Sequence, residues 1–534
     1  MASGRLTLSW VGRDQALLNT ADGGYEWVTR DDPRVTEVRL LRETGKTGEV
    51  TGTPDDNLLI QGDSYDALHA LTRAPEYAGE YRGKVKLIYI DPPFNTGQAF
   101  DHYDDALEHS VWLTMMRDRL LVIRDLLAPD GSVWVHLDDA EMAYCKVVLD
   151  EIFGRGNFVS TIVWETDQGR RNDTAISSVQ DYILVYARDK EAWRKTRNLL
   201  PRTGEQVKRY KNPDSDPRGP WLQGADSTAR SGSDAMRYAI TLPSGRVVQP
   251  PSGVYWRFSQ ESFNRALAED RVYFGKDGDR MPIVKRYLSE VQDGVVPRTW
   301  WPSAEVGSNM SAKRDHLRKL FPDIAAFATP KPELLLHRII SIASNPGDIV
   351  LDCFAGSGTT AAVAQKMGRR WVTVEMKRET ADTFTRPRLE KVVAGNDPGG
   401  VTSEVGWQGG GGFRSLQVSQ SAYDVKAGRT FLAEWVKEAE FAALAAAQLG
   451  FMFESSSVDP FCGRRGRARL AVVDGVVDEV VARGVLGQLD EGERVVLVGR
   501  GVAPEVQSLV VNRSPGSQVL KAPRDLVRRG KVVR

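Results

Sequence analysis

Two short stretches combine residue types and spacings that could do chemistry. The first is Asp91-Pro92-Pro93-Phe94, which closes the unbroken apolar run KVKLIYID (84–91). Proline cannot continue a central strand, so Asp91 is expected at a strand end, where the ligands of parallel sheets gather. The Asp91 carboxylate and the Pro92 carbonyl offer two acceptors. Together they could take both N–H protons of an exocyclic amine whose lone pair is conjugated into a ring, and so favour attack along that lone pair. Phe94 could stack on a base turned out of a duplex, because such an amine is out of reach within the base stack. Taken alone, a Pro-Pro pair after a strand is often only a loop. The second stretch is DIVLDCFAGSGTTAAVA (348–364), read as a strand ending at Asp352, a turn with Gly356 and Gly358, and a helix opening at Thr359-Thr360. Glycines let backbone approach a ligand closely, and a helix N-terminus offers unpaired N–H groups. The following strand, WVTVE, ends at Glu375, placed to accept hydrogen bonds from ribose hydroxyls. This is the outline of a nucleoside-cofactor pocket. Gly356, Gly358 and Ala361 also satisfy the glycine pattern of nicotinamide enzymes, so this motif alone leaves a dehydrogenase open, and the Asp91 motif has to arbitrate.

These residues need elements to position them, and the chain supplies an alternation of buried strands and amphipathic helices. NLLIQGD (57–63) leads into the helical SYDALHALTRA; a long helical run ends at Pro129-Asp130-Gly131 and is followed by the strand SVWVHLDD. Asp138-Asp139 lies between that strand and a helix, which predicts an N-cap rather than a catalytic carboxylate pair. Such alternation implies a doubly wound, parallel α/β sheet. Residues 190–320 break the rhythm with Pro, Gly, Arg and aromatics, and the rhythm resumes at PELLLHRIISIA. The expected organisation is an N-terminal extension (1–56) ending in an exposed GKTGEVTGTPDDN connection, a first half-sheet (57–189), an inserted region (190–320), a second half-sheet (321–405), and a glycine-rich boundary GWQGGGGFRS leading into a small C-terminal α/β domain (406–534).

Composition narrows the class. The 534 residues carry 71 Lys and Arg against 71 Asp and Glu, so attraction to nucleic acid must come from local clustering. The 190–320 segment has 24 Lys and Arg against 15 Asp and Glu, which favours a DNA-facing surface. Its Trp221, Trp256, Trp300 and Trp301 interleave with Arg218, Arg257 and Arg298. For any one arginine packing is the commoner use, and adjacent tryptophans are expected in a core. Three scattered cysteines, no basic-then-apolar leader and no long apolar span point to a reducing cytoplasm rather than secretion or a membrane. No cysteine follows a proline, so the nucleophile expected of cytosine C5 methylation is missing. Leu40 stands where a phosphate-binding loop before Gly45-Lys46-Thr47 needs glycine, no nuclease-like carboxylate and lysine cluster is found, and the six histidines lack metal-ligand spacing.

With both motifs in hand, the chain resembles the amino-methyltransferases of DNA, in particular the modification subunits of type III restriction systems, in the permuted order where the catalytic motif precedes the cofactor motif. The resemblance spans residues 57–415 and rests on LIYIDPPFNTG, LLAPDGSVWVHLDD, DEIFGRGNF, NPDSDPRGPW, FGKDGDRMP, ATPKPELLLHRI, NPGDIVLDCFAGSGTT and the GGGFR segment, in family order. It implies a Rossmann-like sheet that binds S-adenosylmethionine and acts on adenine N6 in duplex DNA. Asp91, Pro92, Pro93 and Phe94 would be catalytic, and residues 190–320 a target-recognition region. Asp63 would contact the cofactor adenine, and Lys331-Pro332 would begin a segment closing over the cofactor. Asp352, Phe354, Gly356, Gly358, Thr359 and Glu375 would complete the cofactor site, with no metal. Asp at the first catalytic position favours adenine N6, where cytosine N4 enzymes usually carry serine. Phe94 replaces the commoner tyrosine. The resemblance also implies a homodimer and a separate helicase-nuclease subunit. A noncatalytic DNA-recognition subunit, a cytosine N4 methyltransferase and a methyltransferase of RNA or protein remain as alternatives.

Overall fold

Val85–Ile90 is a strand with five of its six residues buried, because parallel neighbours flank it on both edges. The computed structural model that shows this describes residues 6–20, 24–95, 99–100, 103–104, 108–167, 169, 175–224, 227–325, 327–454 and 460–530; Thr96 and Gly97 of the first motif lie outside them. The strand sits within a ten-stranded sheet. Its spatial order is Trp300–Trp301, Phe158–Glu165, Gln180–Ala187, Leu127–Leu137, Val85–Ile90, Ile349–Asp352, Arg370–Glu375, Asn57–Gln61, Gly412–Val418 and Leu41–Gly48. The six strands from Leu127–Leu137 to Gly412–Val418 run parallel, and antiparallel strands flank them. This is the expected α/β class.

The chain moves from Val85–Ile90 to its neighbour Leu127–Leu137 in one direction, and from Ile349–Asp352 to Arg370–Glu375 in the other. Strand order therefore reverses between Val85–Ile90 and Ile349–Asp352, which pair through Val350 with Leu87 and Leu351 with Ile88. A crevice opens outside the carboxyl ends of strands at such a reversal. Asp91 follows the first of these strands and Asp352 ends the second. The topology thus brings together two motifs far apart in sequence.

Several expected boundaries move. The segment read as an exposed connection is in part the edge strand Leu41–Gly48, paired with Gly412–Val418. The glycine-rich stretch read as a boundary feeds straight into that second strand. Glycine there reflects close packing of chains rather than a free linker: a Cβ on Gly412 would lie 2.3 Å from the Thr47 carbonyl oxygen and 2.6 Å from that of Glu49. The inserted region is also narrower than 190–320, since residues 199–297 form the separate compact unit and the flanks belong to the main one. Lys190–Thr196 is a helix that buries Trp193 against the large sheet, and Trp301 is buried in its edge strand. Trp300 is not core: it is 47% exposed. Trimming the flanks also removes most of the basic excess, leaving 15 Lys and Arg against 12 Asp and Glu in 199–297.

That unit holds a small apolar core of Ile240, Leu242, Val248, Trp256, Phe263 and Phe274, and a three-stranded sheet of Trp221–Gln223, Ile283–Tyr287 and Val272–Tyr273. Two of its acids, Asp214 and Asp216, are structural. Asp216 accepts hydrogen bonds from Arg218, from Lys285 Nζ (2.6 Å) and from Tyr287 Oη (2.6 Å), and the Arg218 hydrogen bonds hold its carboxyl well below the usual range. Arg218 also donates to the carbonyls of Glu269 and Asp270, so its guanidinium is committed to packing. Trp221 is buried and donates to Asp214.

After the large sheet, a five-stranded sheet (Met452–Phe453, Phe461–Arg465, Ala468–Val477, Arg494–Val502, Gln518–Lys521) is parallel across its last three strands. It is tied to the N-terminal part by Gln448, which accepts from the Val38 N–H, and by Glu37, which accepts from the Ala422 N–H. We predict that Gly412→Ala lowers stability by about 1–3 kcal/mol, because the paired backbones cannot retreat from the added methyl. Urea unfolding should show a lower midpoint at unchanged slope; an unshifted midpoint would mean the edge strand is not closely paired.

Candidate functional site

The cofactor-type turn is fastened by hydrogen bonds from both sides. Asp352 accepts from the Phe354 N–H (2.9 Å) and from the Thr360 hydroxyl (2.6 Å), so one carboxylate spans the turn from strand end to helix. Glu375, one strand over, accepts from the Gly356 N–H (2.8 Å) and the Lys377 N–H (2.9 Å). Gly356 and Gly358 both have positive φ, +49° and +77°, which side chains rarely adopt. Beneath the turn Thr385 donates to the Gly356 carbonyl (2.7 Å), and Arg388 donates to Thr359 Oγ1 (2.8 Å) and to Glu333 (2.8 Å). Burial pushes both the Asp352 and Glu375 carboxyls up to about 7.

Asp91 lies across the crevice. Its Oδ2 forms an ion pair with Lys331 Nζ at 2.8 Å, while its Oδ1 is buried and has no hydrogen-bond partner among the described residues. An unpartnered carboxylate oxygen out of water is costly, and such groups concentrate where a ligand completes them. Lys331 Nζ also lies 5.0 Å from the centre of the Phe94 ring. Phe94 stacks on His136 at 5.8 Å and 23°. His136, wholly buried, pairs with Tyr89 Oη (2.8 Å) and Asp181 Oδ2 (3.0 Å) and meets Trp164 edge-on. The aromatic residue after the two prolines is therefore held by a layer of rings and hydrogen bonds. Trp112 donates to the Pro93 carbonyl (2.7 Å) and fixes the turn itself.

A cavity of about 970 Å3 joins the two motifs. Of the twelve residues singled out from sequence, Asp63, Asp91, Pro92, Pro93, Phe94, Lys331, Asp352, Phe354, Gly356, Thr359 and Glu375 line it. Gly358 does not; it turns the chain into helix Thr359–Lys366, and a Cβ there would lie 3.1 Å from Thr385. Asp63 has a structural duty as well, capping helix Ser64–Arg73 through the Tyr65 N–H (2.7 Å) and pairing with Arg119 (2.7 Å). Asp138 accepts from the Ala140 N–H and closes a turn, while the N-cap of the next helix is Glu141 rather than the Asp pair.

Sequence reasoning missed the support beneath the site. Glu333, Lys366, Asp397 and Arg388 form a buried ion network, with Lys366 Nζ 2.8 Å from Glu333 and 2.7 Å from Asp397. His316, Glu333 and Asp397 converge closely enough to hold a metal, but the two cations already meet the acids, which makes the cluster a brace. Glu333 heads the helix that follows Lys331, and Arg388 reaches the glycine turn, so the brace positions both motifs.

The DNA methylase family profile matches residues 85–386, more than half of the chain. The chain belongs to that family. This methylase is 31% identical over 406 residues to the type III restriction-modification enzyme StyLTI Mod subunit of Salmonella typhimurium, covering 66% of this chain and 59% of that one. It is 59% identical over 298 residues to the type II methyltransferase M1.MboII of Moraxella bovis, covering 55% of this chain and 85% of that one. The chain spans less than two thirds of the length of the type III relatives it matches. Among solved structures, the cytosine-N4-specific PvuII DNA methyltransferase aligns at 17% identity with a TM-score of 0.34, over 64% of this chain and 90% of that one. A likeness that loose carries no argument about the base.

The raised Asp352 carboxyl has a pH signature. Its value in the fold, about 7, exceeds the ordinary carboxylate value near 4, so between those limits the folded state binds the extra proton and stability falls as pH rises. Asp352→Asn removes this dependence. Relative to wild type, the variant should therefore gain up to about 4 kcal/mol between pH 4 and pH 8 in paired urea titrations. A difference that stays flat with pH would contradict the buried, proton-holding carboxyl.

Proposed function

We propose that this methylase transfers a methyl group from S-adenosylmethionine to the N6 amine of adenine in duplex DNA, as the modification and specificity subunit of a restriction-modification system. The observation that carries the reading is Asp91 Oδ1, buried, without a partner, and in one cavity with the glycine turn and Glu375.

The residues fit the cofactor. Gly356 lines the cavity at a positive φ that side chains rarely adopt, so bare backbone faces a ligand there, and Glu375 stands at its strand end to accept from ribose hydroxyls. Bound there, the cofactor would supply an electrophilic methyl on a sulfonium, whose neutral thioether leaves as an attacking amine takes the methyl carbon. The protein's work is then orientation. Asp91 Oδ1 and the Pro92 carbonyl accept the two amine N–H groups and turn the lone pair outward. Lys331 fixes the carboxylate from its other oxygen, and Asp91 can receive the proton released once the amine is alkylated. Phe94, braced by His136, offers a ring to the extruded base.

Unit 199–297 is the target-recognition region under this reading. Double-stranded DNA is the substrate, and a second copy of this chain and a helicase-nuclease subunit are the partners. The StyLTI relative is itself named as a Mod subunit. Three cysteines without a disulfide among the described residues fit a cytoplasmic setting, and no described helix is long and apolar enough to cross a membrane.

The test is incubation of purified protein with unmethylated genomic DNA and methyl-labelled S-adenosylmethionine, followed by nucleoside mass spectrometry. Labelled N6-methyldeoxyadenosine is expected, falling by at least about 100-fold with Asp91→Ala. N4-methyldeoxycytidine would reassign the base. No label with folded protein would point to a noncatalytic recognition subunit.

A further inference from the structure

The N-terminal residues lie before the matched family span, yet they reach the cavity. Gln15–Asn19 and Tyr25–Thr29 form an antiparallel hairpin in which Asn19 pairs with Tyr25 and Leu17 with Trp27. The segment is clamped to helix His109–Leu126. Trp10 Nε1 donates to the Thr114 hydroxyl (2.7 Å), and Arg117 donates to the carbonyls of Arg13 and Gln15, the latter at 2.7 Å. Arg13 also pairs with Glu151 at 2.5 Å. Ala16, Val28 and Val35 make a small core of their own, completed by Leu18 and by Tyr65 from helix Ser64–Arg73. So anchored, the hairpin is fixed relative to the site.

Its position singles out one end of the cavity. Strand Asn57–Gln61 runs parallel beside Arg370–Glu375 with Gln61 opposite Glu375, and the Gly62 N–H donates to the Glu375 carbonyl (3.0 Å). Asp63 therefore stands next to the acid that is placed for the sugar. Asn19 Nδ2 donates to Asp63 Oδ2 at 2.7 Å, and Leu17, Leu18, Asn19 and Tyr25 line the cavity together with Met376, which is 49% exposed. A nucleoside held by its sugar at Glu375 has its base as the next group outward, and the flat apolar faces of a base call for apolar cover with a few fixed polar groups at the edge. The hairpin and Asp63 offer that combination.

We propose that the N-terminal hairpin is part of the cofactor site, walling the purine end of S-adenosylmethionine, with Asn19 setting the Asp63 carboxylate that meets the purine edge. The methylase core is then incomplete as a cofactor binder without residues that precede it. This inference rests on the reading of the cavity as the S-adenosylmethionine site.

Hydrogen exchange of the intact protein with and without sinefungin, a non-reactive analogue of the cofactor, tests both without any mutation. Slowed exchange is expected in the glycine turn, 354–360, and also in 15–19 and 25–29. Calorimetric titration of S-adenosylhomocysteine should show about tenfold weaker binding by Asn19→Ala, with the melting temperature of the ligand-free protein unchanged. Protection of the turn without protection of the hairpin, or wild-type affinity in Asn19→Ala, would overturn the inference and leave the cofactor reading standing. No protection at either place would remove the cofactor reading and this inference with it.

Discussion

The ion pair between Lys331 and Asp91 is the contact on which the site turns, because it joins the half of the sheet that carries the Asp91 motif to the half that carries the glycine turn. Lys331 takes one carboxylate oxygen and leaves the other buried and unpaired among the described residues. A buried acid with one oxygen fixed cannot rotate to satisfy the other, so the free acceptor keeps its direction. That is what an amine needs if its hydrogens are to be held while its lone pair faces elsewhere. The sheet supplies the geometry through the reversal of strand order, and the helix starting at Glu333 anchors the residue that follows Lys331.

Behind this contact stand two kinds of support. One is electrostatic: Glu333, Lys366, Asp397 and Arg388 sit nearly without solvent, and losing any partner would strand a buried charge. Arg388 carries the brace to Thr359, beside the glycine turn. The other is aromatic: Phe94, His136 and Trp164 lie in successive contact, with Tyr89 and Asp181 satisfying the imidazole. The Asp91–Phe94 motif and the glycine turn are thus held by separate networks that meet at Lys331.

The motifs were legible because strand ends, prolines and glycines are local signals. Asp91, Asp352, Gly356 and Glu375 could be placed from a few residues each, and the alternation of strands and helices sufficed for the sheet. What depended on distant partners was not legible. Gly45 to Gly48 looked like a loop, since nothing local reveals that Gly412–Val418 pairs with it. The inserted unit was drawn too wide because Trp301 read like one of its own aromatics, although it, like Trp193, packs on the large sheet. Packing, the commoner use of an arginine, holds for Arg218, which Asp216 and two carbonyls claim, though no local signal named those partners. Nothing local to Glu333 signals its buried partners, and only the fold shows Lys366 beneath it.

The central claim, that the free oxygen of Asp91 directs methyl transfer to an adenine amine at a defined site, is tested most directly in DNA from living cells. Single-molecule sequencing would compare a host expressing the intact protein with one expressing Asp91→Ala. Methyladenine at one recurrent motif with the intact protein, and none with the variant, is the predicted result. Methyladenine at the same motif in both hosts, or at no motif in either while folded protein is present, would contradict it.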